Sequence, residues 1–126
     1  MFPRSTAAVA FAMPGGEGSA PAPRRARPVD LQHLAKQTLG DRALEQEVLR
    51  LFIHQALSAR DGIAAANNGE RLRLAHALKG SARGIGAFAI ADCLTEIEKR
   101  PDDKHLIKRL SVLIDEVRDF ISAINR

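Results

Sequence analysis

Aromatic residues are scarce in this chain of 126 residues, which has five Phe and neither Trp nor Tyr. A core without large rings must be filled by Leu, Ile, Val and Ala, and an apolar fraction of 45% supplies enough of them for packed helices. The one cysteine, Cys93, excludes an intrachain disulfide and any cysteine-based zinc site, and it fits a reducing compartment. No run approaches the roughly 18 consecutive apolar residues of a membrane span. No segment alternates with period two, so strands are not expected. There is no P-loop and no glycine-rich ATP lid, and the length allows a single domain with no room for a kinase beside it.

Charge of one sign is also scarcer than the net value of +4 suggests. Arg4, Arg24, Arg25 and Arg27 against Glu17 place three of those four charges in residues 1–28. The rest is close to neutral, which argues against a nucleic-acid-binding domain. Residues 1–28 are rich in Ala, Pro, Gly and Arg without sustained periodicity, the composition of a disordered tail. Within them Ala7 to Met13 is a short apolar run behind a single basic residue. It sits at the minimum length of a secretory h-region and reads as tail rather than signal, with Met13 as an alternative start. A cytoplasmic location, without membrane association, is the expectation.

From residue 29 onward the pattern is helical. Asp30 suits the N-cap of a short helix carrying Leu31, Leu34 and Ala35 and ending at Gly40. Asp41 caps a long helix with Leu44, Val48, Leu51, Phe52, Ala59 and Ile63 as its apolar stripe, broken at Asn67-Asn68-Gly69. A third helix starts at about Glu70 and ends at Gly84 and Gly86. A fourth runs through Phe88, Ala91, Leu94 and Ile97 until Lys99-Arg100-Pro101 stops it. The last, from about Asp102, carries Leu106, Leu110, Leu113, Val117, Phe120 and Ile124, with Ile114 and Ile121 beside them. Short connections between four long helices predict an all-α fold, an antiparallel up-down four-helix bundle with the short extra N-terminal helix over one end.

The third helix holds the chemistry. At about 100° per residue, Leu74, Ala75, Leu78, Ala82 and Ile85 collect on one side and His76 on the other. Arg73, Lys79, Gly80 and Arg83 surround His76 as its three-, four- and seven-residue neighbours. A glycine within a helix costs roughly 1 kcal/mol relative to alanine, and at position 80, one turn from the imidazole, it gives clearance for a large partner. Leu72 lies at the rim, where a docked helix has something apolar to meet. His33, His54 and His105 are scattered without ligand spacing and read as structural, and Cys93 reads as a small hydrophobe.

The segment Ala75-His76-Ala77-Leu78-Lys79-Gly80-Ser81-Ala82, with Ile85-Gly86 after it, resembles the histidine phosphotransfer (HPt) domain family. That family's pattern is His, an apolar residue two on, Lys-Gly three and four on, small residues next, and an apolar-Gly pair nine and ten on. The resemblance covers about residues 29–126. It implies a four-helix bundle that takes a phosphoryl group from an aspartyl phosphate on one receiver domain and passes it to another, with response-regulator receivers and a hybrid or conventional histidine kinase as partners. It also implies His76 as phosphoacceptor, Lys79 as the cation beside the phosphoryl group, Gly80 as the clearance residue and Gly86 as structural. Gly84 departs from the pattern, since the family often has a polar side chain there, and this leaves open how that end of the helix is held.

The chemistry suits these residue types. A neutral imidazole is a nucleophile, and exposure lets an acyl phosphate come in line with it. Lys79 can offset an added charge of roughly −1.5 to −2, with Arg83 and Arg73 as possible support. The His76 face shows no carboxylate, so no cofactor of the chain's own is expected and Mg²⁺ is assigned to the partner receiver. The protein is then a phosphorylated carrier, not an enzyme, and a monomer. The alternative from another class is a helical docking module that binds a receiver or kinase without being phosphorylated. A metal-binding bundle is disfavoured, since no Glu-x-x-His pair occurs.

Overall fold

Polar caps set most of the helix starts in the computed structural model, which describes residues 27–125. Asp30 accepts the backbone N–H of His33 at 3.1 Å and opens α1 (Leu31–Thr38). Asp41 does the same for Leu44 at 3.0 Å and opens α2 (Arg42–Ala65). Asn67 accepts from Glu70 at 2.9 Å, so α3 (Asn68–Ile85) begins two residues before the expected start at Glu70. Asp103 accepts from both His105 and Leu106 at the head of α5 (Lys104–Ile124). Each such cap satisfies an otherwise orphaned donor and contributes about 1 kcal/mol. The helix α4 (Phe88–Lys99) has no side-chain cap, because the chain enters it directly from the left-handed turn at Gly86, with φ +89°. Gly86 alone ends α3; Gly84, expected to share that task, is still helical.

The described residues are all helical, with five helices and no strand. The four long helices pack in sequence, α2 on α3, α3 on α4 and α4 on α5, and α5 returns to α2. The short α1 lies against α2 and α3. One core results, in which Leu34, Leu49, Ile63, Leu78, Ile90, Leu94, Ile97, Leu110 and Ile114 are fully buried. Two stripe assignments are corrected. On α2 the buried set is Leu49, Phe52, Ala56, Ala59 and Ile63, while Leu44 and Leu51 are exposed and Val48 is half-buried. Two apolar stripes interleave on this helix, and the one spaced three and four residues through Leu49 and Ala56 faces the other helices. On α5, Ile114 and Ile121 are buried while Ile124 is exposed at the helix end.

Arg71, which composition alone does not mark, closes one end of the bundle. Its guanidinium donates to the carbonyls of Ile63 (2.7 Å) and Ala66 (2.9 Å), which end α2, and to Pro101 (2.7 Å) between α4 and α5. Arg60 on α2 pairs with Asp115 on α5 at 3.2 Å. Cys93 is buried, its thiol donates to the Leu106 carbonyl, and burial pushes its pKa up to about 11, so it behaves as the inert hydrophobe expected. Among the described residues no helix is long and apolar enough to cross a membrane. The expectations for the tail, apart from Arg27 and Pro28, lie outside the described residues.

Candidate functional site

Helix α3 turns Ala75, Leu78, Ala82 and Ile85 inward, and that burial fixes what faces out. The His76 side chain is 77% exposed, in keeping with its place opposite the buried stripe. Ala77, Gly80, Arg83 and Gly84 are exposed on the same helix. At Gly80 nothing lies within 4 Å of where a Cβ would stand, so its missing side chain leaves open space over the helix.

The expectation that no carboxylate faces His76 is corrected. Glu98, from the last turn of α4, reaches across to α3 and binds two of its side chains at once. One carboxylate oxygen lies 3.2 Å from His76 Nδ1, and the other accepts from the Lys79 ammonium. Lys79 and Glu98 are only 15% and 23% exposed, so their ion pair sits in the crevice between the two helices. The Lys79 ammonium beside Glu98, reinforced by His76, holds its carboxyl below the usual carboxylate range. In the neutral ring, the tautomer with its proton on Nδ1 is the one that turns the 3.2 Å contact with Glu98 into a hydrogen bond. That tautomer leaves the lone pair on Nε2, which makes no hydrogen bond within the described residues.

The remaining residues divide. Arg73 is paired with Glu70, three residues before it, and is committed to that exposed contact. Arg83 makes no ion pair among the described residues and stays available on the His76 side of the helix. Leu72 is partly exposed, one turn before His76. The question raised by Gly84 is answered from α1: the His33 ring, edge-on to Phe88, lies 3.2 Å from the Gly84 carbonyl, and the Asp30 N–H donates to the Gly86 carbonyl at 3.0 Å. The end of α3 is thus tied by α1 instead of by a side chain at position 84. Among the described residues no three His, Cys, Asp or Glu side chains cluster as a metal site.

Glu98 escaped the sequence pattern because it lies 22 residues beyond His76, on another helix. Its only signal is its place next to Ile97 on the buried stripe of α4, which puts it at a packed flank without saying which neighbour it meets.

A lowered carboxylate pKa stabilises the folded state above the ordinary carboxylate range, and that contribution disappears as pH falls through the lowered value. Titration of the Glu98 carboxyl by ¹³C NMR is expected to give a midpoint below that of an unpaired, exposed glutamate. Lys79→Met should raise that midpoint more than His76→Gln does, since the Lys79 hydrogen bond is the larger cause. Equal shifts would mean the ammonium is not the dominant partner.

A family model described as "Hpt domain" matches residues 45–125, from the first turn of α2 through α5. No curated protein and no solved structure gives a significant match to the chain.

Proposed function

The chain belongs to the Hpt domain family, which has a histidine phosphotransfer role in phosphorelays, and from that premise we propose that it shuttles a phosphoryl group on His76 between receiver domains. The observation that carries this reading is an exposed imidazole whose Nδ1 is held by Glu98 and whose Nε2 makes no hydrogen bond among the described residues. In the step proposed, the Nε2 lone pair attacks the phosphorus of an aspartyl phosphate in line with the departing oxygen. The N–P bond forms, the P–O bond to the aspartate breaks, and the aspartate leaves as carboxylate with the electron pair. The proton on Nδ1 stays there, and Glu98 balances the positive charge that the ring gains. In the reverse direction the same proton lets the ring leave as neutral imidazole, which suits a carrier that must both accept and give.

Lys79 turns from Glu98 toward the phosphoryl oxygens as their charge arrives, and Arg83 adds a second cation at longer range. The bonds of Arg73 to Glu70 make it a poorer candidate for support. The protein acts as a covalently modified carrier rather than an enzyme, in the cytoplasm. It needs no cofactor of its own, with Mg²⁺ held by the receiver. An up-down antiparallel bundle fits the two-residue connections at 66–67 and 86–87 and the way Arg71 gathers carbonyls from two junctions. The direct test is incubation of the full chain with a receiver domain phosphorylated by acetyl phosphate and Mg²⁺. Uptake of acid-labile, base-stable phosphate is expected; its absence with every receiver of the same cell would overturn the reading.

Gly80 separates fold from function. Open space at its Cβ position means Gly80→Ala should stabilise the domain by about 1 kcal/mol, the usual helix-propensity difference. Gly80→Phe should leave helicity unchanged yet slow transfer at least tenfold by blocking the approach to Nε2. Circular dichroism with the transfer assay checks both, and normal transfer by the Phe variant would remove the clearance role.

A further inference from the structure

The outer face of α5 carries charges that the bundle does not use. Lys104, Lys108 and Arg109 lie in its first half, and Asp115, Glu116 and Asp119 in its second. Lys104 stands in the first turn, where the helix dipole favours acids, so the stability of the helix itself does not call for this order. Asp115 is taken by Arg60 and Arg118, and Asp119 by Arg118. Arg109 and Glu116, in contrast, make no ion pair among the described residues. Seven residues apart, they share one face of the helix, separated by about 10 Å along its axis and so too distant to pair with each other. Val112 lies between them on that face, three residues after Arg109 and four before Glu116, and is 52% exposed.

The same three residues line a groove of about 300 Å³ between α5 and the start of α4. Ala89 and Ile90 on α4 and Leu113 on α5 give it an apolar lining. An apolar slot beside an exposed valine, with a cation on one side of that valine and an anion on the other, is complementary to itself. Turned end over end about an axis through Val112, the face sets each Arg109 opposite the Glu116 of the other copy and each Val112 over the other slot. A parallel alignment would set like charges against each other instead.

We propose that two copies of the chain pair through this face with their α5 helices antiparallel. Two Arg109–Glu116 ion pairs flank a central contact between the two Val112 side chains, and the charges fix the register of the pair. This departs from the monomer expected of the sequence. A different protein would need opposite charges at the same spacing about an apolar centre, whereas a second copy has them by symmetry. One helix and one groove from each copy make an interface of about 1,200 Å² or less, the size of weak and transient contacts, so the dissociation constant falls at about 100 µM. Pairing is independent of the phosphocarrier reading. Helices α3 and α5 stand at opposite corners of the bundle, since each packs on α2 and α4. Contact through α5 therefore leaves both His76 side chains open and, on the reading above, gives the carrier two acceptors.

Sedimentation equilibrium of the chain of 126 residues, from tenfold below that constant to tenfold above it, reads the pairing directly. The average mass should climb from that of one chain toward that of two. Arg109→Glu and Glu116→Arg should each weaken pairing at least tenfold, because either one brings like charges together at both ends of the contact. An equimolar mixture of the two variants should recover it, since every cation then meets a carboxylate again. Val112→Lys should abolish pairing by setting two ammonium groups on the axis. Circular dichroism should match the parent throughout, as all three side chains are exposed. A parent chain that stays monomeric over the whole range, or a mixture no more associated than either folded variant alone, would overturn the proposal. Phosphate uptake is a separate readout: a chain that pairs as described but takes up none would sink the carrier and uphold the pair.

Discussion

His76→Gln should abolish phosphoryl uptake while leaving the protein as stable as before. The glutamine amide nitrogen has its lone pair delocalised into the carbonyl and cannot attack phosphorus, so labelling from a phosphorylated receiver is expected to fall to background. Stability should change by no more than about 0.5 kcal/mol, as usual for an exposed position, since the His76 side chain is largely in solvent. The Lys79–Glu98 pair survives the substitution, because it closes the crevice between α3 and α4 without the ring. Labelling kinetics and a thermal melt on one preparation read both quantities. Retained uptake would move the acceptor elsewhere on the chain.

The largest effect on stability should come from Gly86→Ala. Gly86 holds φ +89°, and a Cβ there would meet the Asp30 carbonyl oxygen at 2.9 Å and the Asp30 Cβ and N at 3.2 Å. The left-handed backbone costs about 1–2 kcal/mol for a residue with a side chain. The contact adds to it, because the atoms met belong to backbone that cannot swing aside. The Asp30–Gly86 hydrogen bond is strained in the same event, and with it the N-cap of α1. A loss of about 3 kcal/mol, or more than about 10 °C in Tm for a domain of this size, is the expected result. Gly84→Ala is the internal control: position 84 is helical and open, so it should be neutral or slightly stabilising. Equal melting of the two variants would mean that the α1 tie does not depend on the Gly86 turn.

The caps at Asp30 and Asp41 were legible because a short polar side chain before an apolar period has one dominant use, whereas Asn67, inside an Asn-Asn-Gly turn, read as a break and not as the cap it is. The face of α3 was legible for a related reason. Its buried residues are spaced so regularly that whatever lies opposite them, His76 and Gly80 included, must face outward. Helix α2 was harder, because two stripes of apolar residues interleave along it and only the neighbouring helices choose between them. Leu44 and Leu51 look like core in sequence and are surface in the fold. Glu98 and Arg71 were out of reach for a different reason. Both act across a helix boundary, Glu98 on His76 and Lys79, Arg71 on three carbonyls from two junctions. Helical periodicity relates residues three, four and seven apart and says nothing about partners on other helices.

The most direct measurement is the position of the phosphate on the loaded chain. The chain of 126 residues, phosphorylated by a receiver domain and kept at alkaline pH, can be examined by ¹H–¹⁵N–³¹P NMR of uniformly ¹⁵N-labelled material. The expected spectrum couples phosphorus to Nε2 of His76, with a proton retained on Nδ1 beside Glu98. Phosphorus coupled to Nδ1 of His76, or to any other residue, would contradict the assignment.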